Sequence, residues 1–565
     1  MIMGRLILAI ATLWLLAALL LTATLALAAA PGTVQKSAPA AAPAAAAPAP
    51  RAASAQVAAL QKIPPVTLPA PGTAAVPVVP PHLQSAAPVI NLAIITIDQT
   101  SLRAAPRHTA QQQATLWQGE VVEVRGERLD YLQVYDHKRE RGGFVHATTV
   151  RRTSLAASEA PELLAVIRFI RETPGAEALG IGLTAAYLKA APAESLNGAA
   201  GIEAFDALGT FADRLARRAS SGSLQDKTAA AVLSAHLEVA ARYGLGFANF
   251  EQEGRMRICY DGEAFRRVLA LPSSPEQRAR AALALTRHEC VDPEMRVAER
   301  TRLDEWRAEV LDRADILGLP GYLKNRLQMR RAGVWAGVAF QRARQGKGAE
   351  GLANAAANRA LTELAAISKA ELPEADAAAY NDAAMRVSAS RWAALPAAAE
   401  TGVVGARPTL ITLPGLPGET CVLLIDAKND AARPLFRRCT YGIVWTASST
   451  VNREANAVAV AVQPMHAWRE MWVIRKGPQG WTAGVLPPAS TSPELGYAEF
   501  AGWVPGGAQM LVAREARGEG KYQRVFEVIA LDTLATERQV AAPGMLSTFQ
   551  RWQDPAWKRM SLSLR

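Results

Sequence analysis

The sequence predicts a multidomain α+β protein with three folded parts: a small β-barrel over 91–152, an all-α middle domain over 156–400, and an antiparallel β-rich domain over 405–565. Three observations lead there. Residues 91–152 carry short β-type runs separated by polar breaks. Residues 156–400 carry apolar positions at helical spacing after recurrent helix-start signals. The remainder alternates strand-like runs with Gly- and Pro-containing turns and holds seven of the 12 Trp. With 565 residues, half of them apolar, the chain is long enough to bury several cores.

Ahead of these parts lies a segment that predicts export. Arg5 precedes a nearly charge-free run from Leu6 to Leu27 that ends in Ala26-Leu27-Ala28, the small-residue pattern read by signal peptidase. Residues 1–28 are therefore expected to be a signal peptide. The alternative is an uncleaved inner-membrane anchor, and only in that case is a membrane a partner. Thr12, Thr22 and Thr24 dilute the run, and no Lys or Arg follows Leu27 until Lys36, which favours cleavage. Residues 29–90 are dominated by Ala and Pro, cannot offset their ordering entropy by apolar burial, and read as a disordered tether. The expected location is the periplasm or cell surface, where nucleic acid and ATP are not expected partners. The net charge of +11 then points to a solvated basic surface or to acidic envelope polymers and lipid head groups.

The barrel region reads as β-runs at Ala93–Ile97, Glu120–Arg125, Tyr131–Val134 and Gly143–His146. Val122 and Val124 alternate with Glu123 and Arg125, giving one dry and one wet face, and Gly119 and Gly142-Gly143 permit tight reversals. The order Thr100-Ser101-Leu102-Arg103-Ala104-Ala105-Pro106, Leu116-Trp117-Gln118-Gly119-Glu120-Val121-Val122, Tyr131-Leu132-Gln133-Val134 and Gly142-Gly143-Phe144-Val145 resembles the bacterial SH3-like (SH3b) domain family. Ser101 stands where that family has Asn, Tyr131 where it has Trp, and Asp136–Arg141 is a charged insertion. The resemblance implies a small barrel that contacts cell-wall peptide or partner proteins. Tyr131, Tyr135 and Phe144 are the residues expected to line its groove for peptide or glycan.

Helix starts in the middle domain are signalled by Ser158 before Pro161-Glu162, by Ser223 with Asp226, and by Ser274 before Pro275. One-sided stripes such as Leu163, Val166, Ile167 and Ile170 predict about eight to ten antiparallel helices, and no fixed repeat period is found. In the last domain, Tyr497-Ala498-Glu499-Phe500-Ala501-Gly502-Trp503-Val504-Pro505-Gly506-Gly507, the following strand to Arg514 and Phe526–Thr533 resemble a blade of the TolB-like β-propeller family. In that segment Val504 and Gly506 depart from the family's pattern, and a weaker copy runs from Gly442 to Ile474. The region is too short for a closed propeller. Two or three open sheets packed on the helices are expected, with Trp552 and Trp557 covering an edge.

Four cysteines in an exported chain predict two disulfides. Cys421 and Cys439 are symmetrically placed about the turn Asp426–Asp430 in a predicted hairpin, and Cys259 and Cys290 would close a loop around Leu271–Pro275. No nucleophile elbow, phosphate-binding loop or His pair at metal spacing is present. His288-Glu289 has Asp292 where a zinc protease has its second His, His236 reads as a packed helix histidine, and Gly180-Ile181-Gly182 reads as a turn. Glu251, Glu253, Asp261 and Glu263 could supply the carboxylates of a wall hydrolase. The function expected is non-catalytic: an exported, envelope-associated binding or scaffold protein, without metal or cofactor, whose partners are cell-wall peptide or glycan or envelope proteins. Peptidoglycan hydrolysis is the alternative.

Overall fold

The computed structural model describes residues 91–221, 227–252, 254–346, 348–396, 406–490 and 494–560. The predicted signal peptide and tether, the Ser223–Asp226 capping box and Glu253 lie outside the described residues. Helix, at 42%, and strand, at 30%, are both abundant, with several antiparallel sheets around a helical middle region.

The first part consists of β1 (Leu92–Ile95), β2 (Thr100–Arg103), β3 (Gln112–Leu116), β4 (Val121–Arg128), β5 (Tyr131–Asp136), β6 (Arg141–His146) and β7 (Val150–Thr153). They form one seven-stranded sheet in the order β3-β2-β6-β5-β4-β1-β7 with antiparallel pairing throughout. Ile95, Leu102, Leu116, Val122, Leu132 and Val145, from six of the strands, share one core. The Asp136–Arg141 insertion is no floppy loop. Asp136 and Arg141 are paired across a hairpin, and Arg139 donates to buried Asp136 (2.6 Å) and Glu120 (3.2 Å). Those bonds satisfy two carboxylates that would otherwise be costly to bury.

The middle region runs through α1 (Ala160–Ile170), α2 (Glu177–Ala190), the single turn α3 (Ala193–Leu196), α4 (Ala199–Ser221) and α5 (Lys227–Arg242). After a β-hairpin it continues with α6 (Glu263–Ala270), α7 (Pro275–Leu285), α8 (Val297–Asp312), α9 (Gly321–Arg344), α10 (Glu350–Ala365) and α11 (Ala377–Ser390). Ten of these helices have eight residues or more, as the start signals and stripes predict, and Ser274 caps α7 in a reciprocal box with Gln277. The all-α expectation fails at β8 (Phe247–Gln252) and β9 (Arg255–Tyr260). Ser220 holds that hairpin on α4 by accepting from Ile258 N (2.8 Å) and donating to Ile258 O (3.0 Å). The Cys259–Cys290 disulfide anchors it to the turn after α7.

The Gly180–Gly182 turn is also corrected: both glycines lie inside α2. A Cβ on Gly180 would stand 2.4 Å from the Phe211 ring, and one on Gly182 2.8 Å from Gly119 O. The glycines are there for close approach rather than reversal. Gly119 does supply the expected reversal, at φ +81°, and its missing Cβ also lets the backbone meet Ala178 O.

In the last part, β10 (Thr409–Pro414), β11 (Thr420–Ile425) and β12 (Phe436–Thr440) form one sheet. A second is built from β13 (Ile443–Val451), β14 (Ala457–Met465), β15 (Trp468–Gly477), β16 (Gly480–Leu486), β17 (Leu495–Trp503), β18 (Gln509–Gly518), β19 (Lys521–Ala530) and β20 (Thr536–Val540). Its pairings are antiparallel except for β15 against β17. Val422 and Leu424 of the small sheet pack on Val458, Val460 and Trp472 of the large one. Cys421 lies directly opposite Cys439 and is bonded to it, as the hairpin symmetry requires. The helices α12 (Ser547–Trp552) and α13 (Pro555–Met560) cover β17–β19, where Phe549 and Trp557 stack edge-on with Phe526. Met385 and Ala389 of α11 join the same core, so the large sheet is packed on the helices.

A few arginines are drawn out of solvent into these interfaces. Arg307, Arg331, Arg391 and Arg469 are buried. Each is compensated: Arg307 by Asp304 and Thr286 O, Arg331 by the carbonyls of Leu311 and Ala314, and Arg391 and Arg469 by Glu499.

Candidate functional site

The three aromatics singled out from sequence come together on one outward face of the N-terminal sheet. Along β5, Leu132 and Val134 point into the core, so Tyr131, Gln133 and Tyr135 point out. On β6, His146 lies opposite Tyr131, Phe144 opposite Gln133, and Gly142 opposite Tyr135. Directly opposed residues of an antiparallel pair share a face, so Phe144 joins the tyrosines. All three are half-buried and none belongs to the core.

Their neighbours give the face its chemistry. Tyr131 meets His146 edge-on with ring centroids 5.1 Å apart, and Tyr135 meets His137 at 4.9 Å. The Arg125 guanidinium sits 3.9 Å above the Tyr135 ring, a cation–π contact. Arg125 and His137 both bond Glu123, at 3.1 and 2.7 Å, and hold its carboxyl below the usual carboxylate range. Four residues of strand separate the tyrosines, about 13 Å. The result is an aromatic strip with the Arg125–Glu123 ion pair at one end, long enough for two or three residues of an extended peptide or sugar chain. Leu129, in the β4–β5 turn beside Tyr131, adds an apolar tip that is 83% exposed.

Arg125, His137 and His146 escaped the sequence reading, although the signal was present. Pairing Asp136 with Arg141 as hairpin ends places Tyr135 opposite Gly142 and Tyr131 opposite His146 by counting alone.

The face is held by a firm junction with the helices. His236 is a packed helix histidine, as expected, and its Nε2 bonds Asp98 Oδ1 at 2.7 Å. Burial works against the Asp98 charge, but the bonds from His236 and Gln118 N hold its pKa below the ordinary aspartate value. Arg242 donates to Glu120 (2.8 Å), and Tyr243 donates to Gly119 O (2.6 Å).

His288 and Glu289 are not a metal pair. His288 Nδ1 accepts from the Arg307 guanidinium at 3.1 Å, and burial among arginines pushes its pKa well below the usual value. Glu289 bonds Arg287 at 2.9 Å; burial opposes its charge, yet Arg287 and Arg330 hold it down at about 2. Among the described residues, the only donor cluster of metal-binding size is Glu419, Cys421 and Cys439, whose two sulfurs are joined in the disulfide.

Of the acidic cluster, Glu251 pairs opposite Met256 near the hairpin tip, whereas Asp261 N bonds Gly246 O at its base. Five residue steps separate those rows, about 16 Å. Glycosidase carboxylates stand roughly 5–9.5 Å apart. Asp261 instead accepts from Glu263 N, and Glu263 pairs with Arg266 and Arg267. No helix among the described residues is long and apolar enough to cross a membrane, and the two disulfides fit an extracellular or periplasmic protein. No protein-family model, curated protein or solved structure matches the chain.

Proposed function

We propose that the chain is an exported binding or scaffold protein of the cell envelope, and that the aromatic face of its SH3-like N-terminal sheet holds cell-wall peptide or glycan. One observation carries this reading: Tyr131, Tyr135 and Phe144 leave the core together and line one outward strip beside Arg125, His137 and His146. Aromatic rings at a surface cost apolar exposure that a ligand would relieve, and they supply flat faces for sugar rings or peptide side chains. The Arg125 end suits an acidic group, such as a stem-peptide carboxylate. The rest of the chain, with its TolB-like β-rich domain, would present a surface to envelope proteins.

Co-sedimentation of the chain starting at Ala29 with purified cell-wall sacculi tests the proposal. Pelleting should survive moderate salt and fall at least about tenfold in a Tyr131→Ala/Phe144→Ala double variant that keeps its circular dichroism spectrum. Pelleting that salt abolishes equally in both proteins, or no pelleting, would remove the wall as the ligand.

A further inference from the structure

A second feature lies away from the aromatic face and does not depend on it. Helices α4, α7, α9 and α11, the β8–β9 hairpin and the β18–β19 turn enclose a cleft with a volume of about 1440 Å³. Ten Arg and Lys side chains line it against seven Asp and Glu, so its walls carry excess positive charge. Several of those carboxylates are already committed. Asp213 bonds Arg287 at 2.5 Å, Asp376 bonds Arg326 at 2.8 Å, and Asp382 bonds Arg517 at 2.5 Å and Tyr522 at 2.7 Å.

Four guanidiniums in the wall have no ion pair among the described residues: the exposed Arg255 and the half-buried Arg257, Arg330 and Arg386. The Nε atoms of Arg257 and Arg386 are buried without a hydrogen-bond partner. Arg330 has one bond, to Leu283 O at 3.1 Å. Burial lowers the pKa of Arg330 and of Arg386 to about 10; Glu289 and Asp382 respectively work against that shift, and neighbouring arginines add to it. Elsewhere in this protein, buried arginines such as Arg307, Arg331 and Arg391 each meet a carboxylate or carbonyl, although the Nε of Arg307 is likewise without a partner. Half-buried guanidiniums without an ion pair around one cavity are free to take a counter-charge that arrives from outside.

We propose that this cleft binds an oxyanionic ligand, bearing phosphate or carboxylate groups, through Arg257, Arg330 and Arg386. The preference for arginine, nine residues to one lysine in the wall, suits the two-pronged recognition of such groups. The volume exceeds the roughly 300–1,000 Å³ of ordinary small-molecule sites, so the ligand carries several such groups on an extended frame.

Isothermal titration with tripolyphosphate in one arm and citrate in the other tests the site and separates the two sources of oxyanion. Saturable binding of either is expected, weakened at least about tenfold by Arg386→Gln and by Arg257→Gln and unchanged in Tyr135→Ala. Without ligand, Arg386→Gln should unfold at about the same urea concentration as the parent, because Arg386 makes no ion pair among the described residues. Absence of binding in both arms, undiminished binding by Arg386→Gln and Arg257→Gln, or a marked loss of stability in ligand-free Arg386→Gln would overturn the proposal.

Discussion

Replacing Glu499 by Gln should be among the most damaging single-atom changes available in this protein. Glu499, on β17, is buried and receives Arg391, from the turn after α11, and Arg469, on β15 and wholly buried. One carboxylate thus neutralises two buried guanidiniums and ties the helices to the large sheet. Gln keeps the shape, loses the charge, and turns an NH₂ toward groups that can only donate. Breaking such a buried pair costs about 3–5 kcal/mol. Against a total stability of about 5–15 kcal/mol, that is a large share. With a urea slope of about 3 kcal/mol/M, the midpoint followed by Trp fluorescence should fall by at least about 1 M.

The pH dependence supplies an independent signature. Burial opposes the Glu499 charge, but Arg391 and Arg469 prevail and its folded pKa is lowered from the usual 4.5. Its contribution is therefore complete above the unfolded value and lost as pH falls through the folded one. The parent should lose its advantage over Glu499→Gln only below about pH 4.5. A midpoint shift equivalent to less than about 1 kcal/mol, or an unchanged gap between the two proteins down to pH 3, would refute the reasoning.

Three further outcomes follow from the same interfaces. Gly182→Ala puts a methyl group 2.8 Å from Gly119 O and should cost about 1–3 kcal/mol, with faster amide exchange in α2 and β4 as the check. Asp98→Asn should cost about 1 kcal/mol at neutral pH; because the folded Asp98 pKa is lowered from 3.8, the difference from the parent should start to shrink below about pH 3.8 and vanish only once pH falls below the lowered folded value, measured by urea midpoints. Serine replacement of Cys421 with Cys439, separated by 18 residues, should cost about 3 kcal/mol, and of Cys259 with Cys290, separated by 31, nearer 4 kcal/mol, so calorimetry of the two double variants should rank them in that order.

What was legible in the sequence was whatever depends on short-range pattern. Alternation along Tyr131–Tyr135 put its aromatics on one face, the symmetry about Asp426–Asp430 paired Cys421 with Cys439, and Ser274 announced α7. Misreadings arose where long-range contact changes what a residue is for. Gly180 and Gly182 carry a local turn signal, but Phe211 and Gly119, distant in sequence, make them helix positions that admit close neighbours. The β8–β9 hairpin has too few residues to override the helical pattern around it; it is fixed by Ser220 and Cys290.

The sequence by itself determined the mixed α and β character, the Cys421–Cys439 pair and the alternation that puts Tyr131 and Tyr135 on one face, because each follows from periodicity or from symmetric spacing along a few residues; the Cys259–Cys290 pair followed only as the remainder. Only the tertiary structure decided the fate of the arginines. A guanidinium looks the same in sequence whether it faces water, caps a helix as Arg331 does, shares Glu499 as Arg391 and Arg469 do, or stands unmatched in a cleft as Arg386 does. Its energy depends on which opposite charge the fold brings within a few ångströms and how much water is left between them, and the partner lies from 17 to 108 residues away along the chain, as for Arg331 with Ala314 and Arg391 with Glu499.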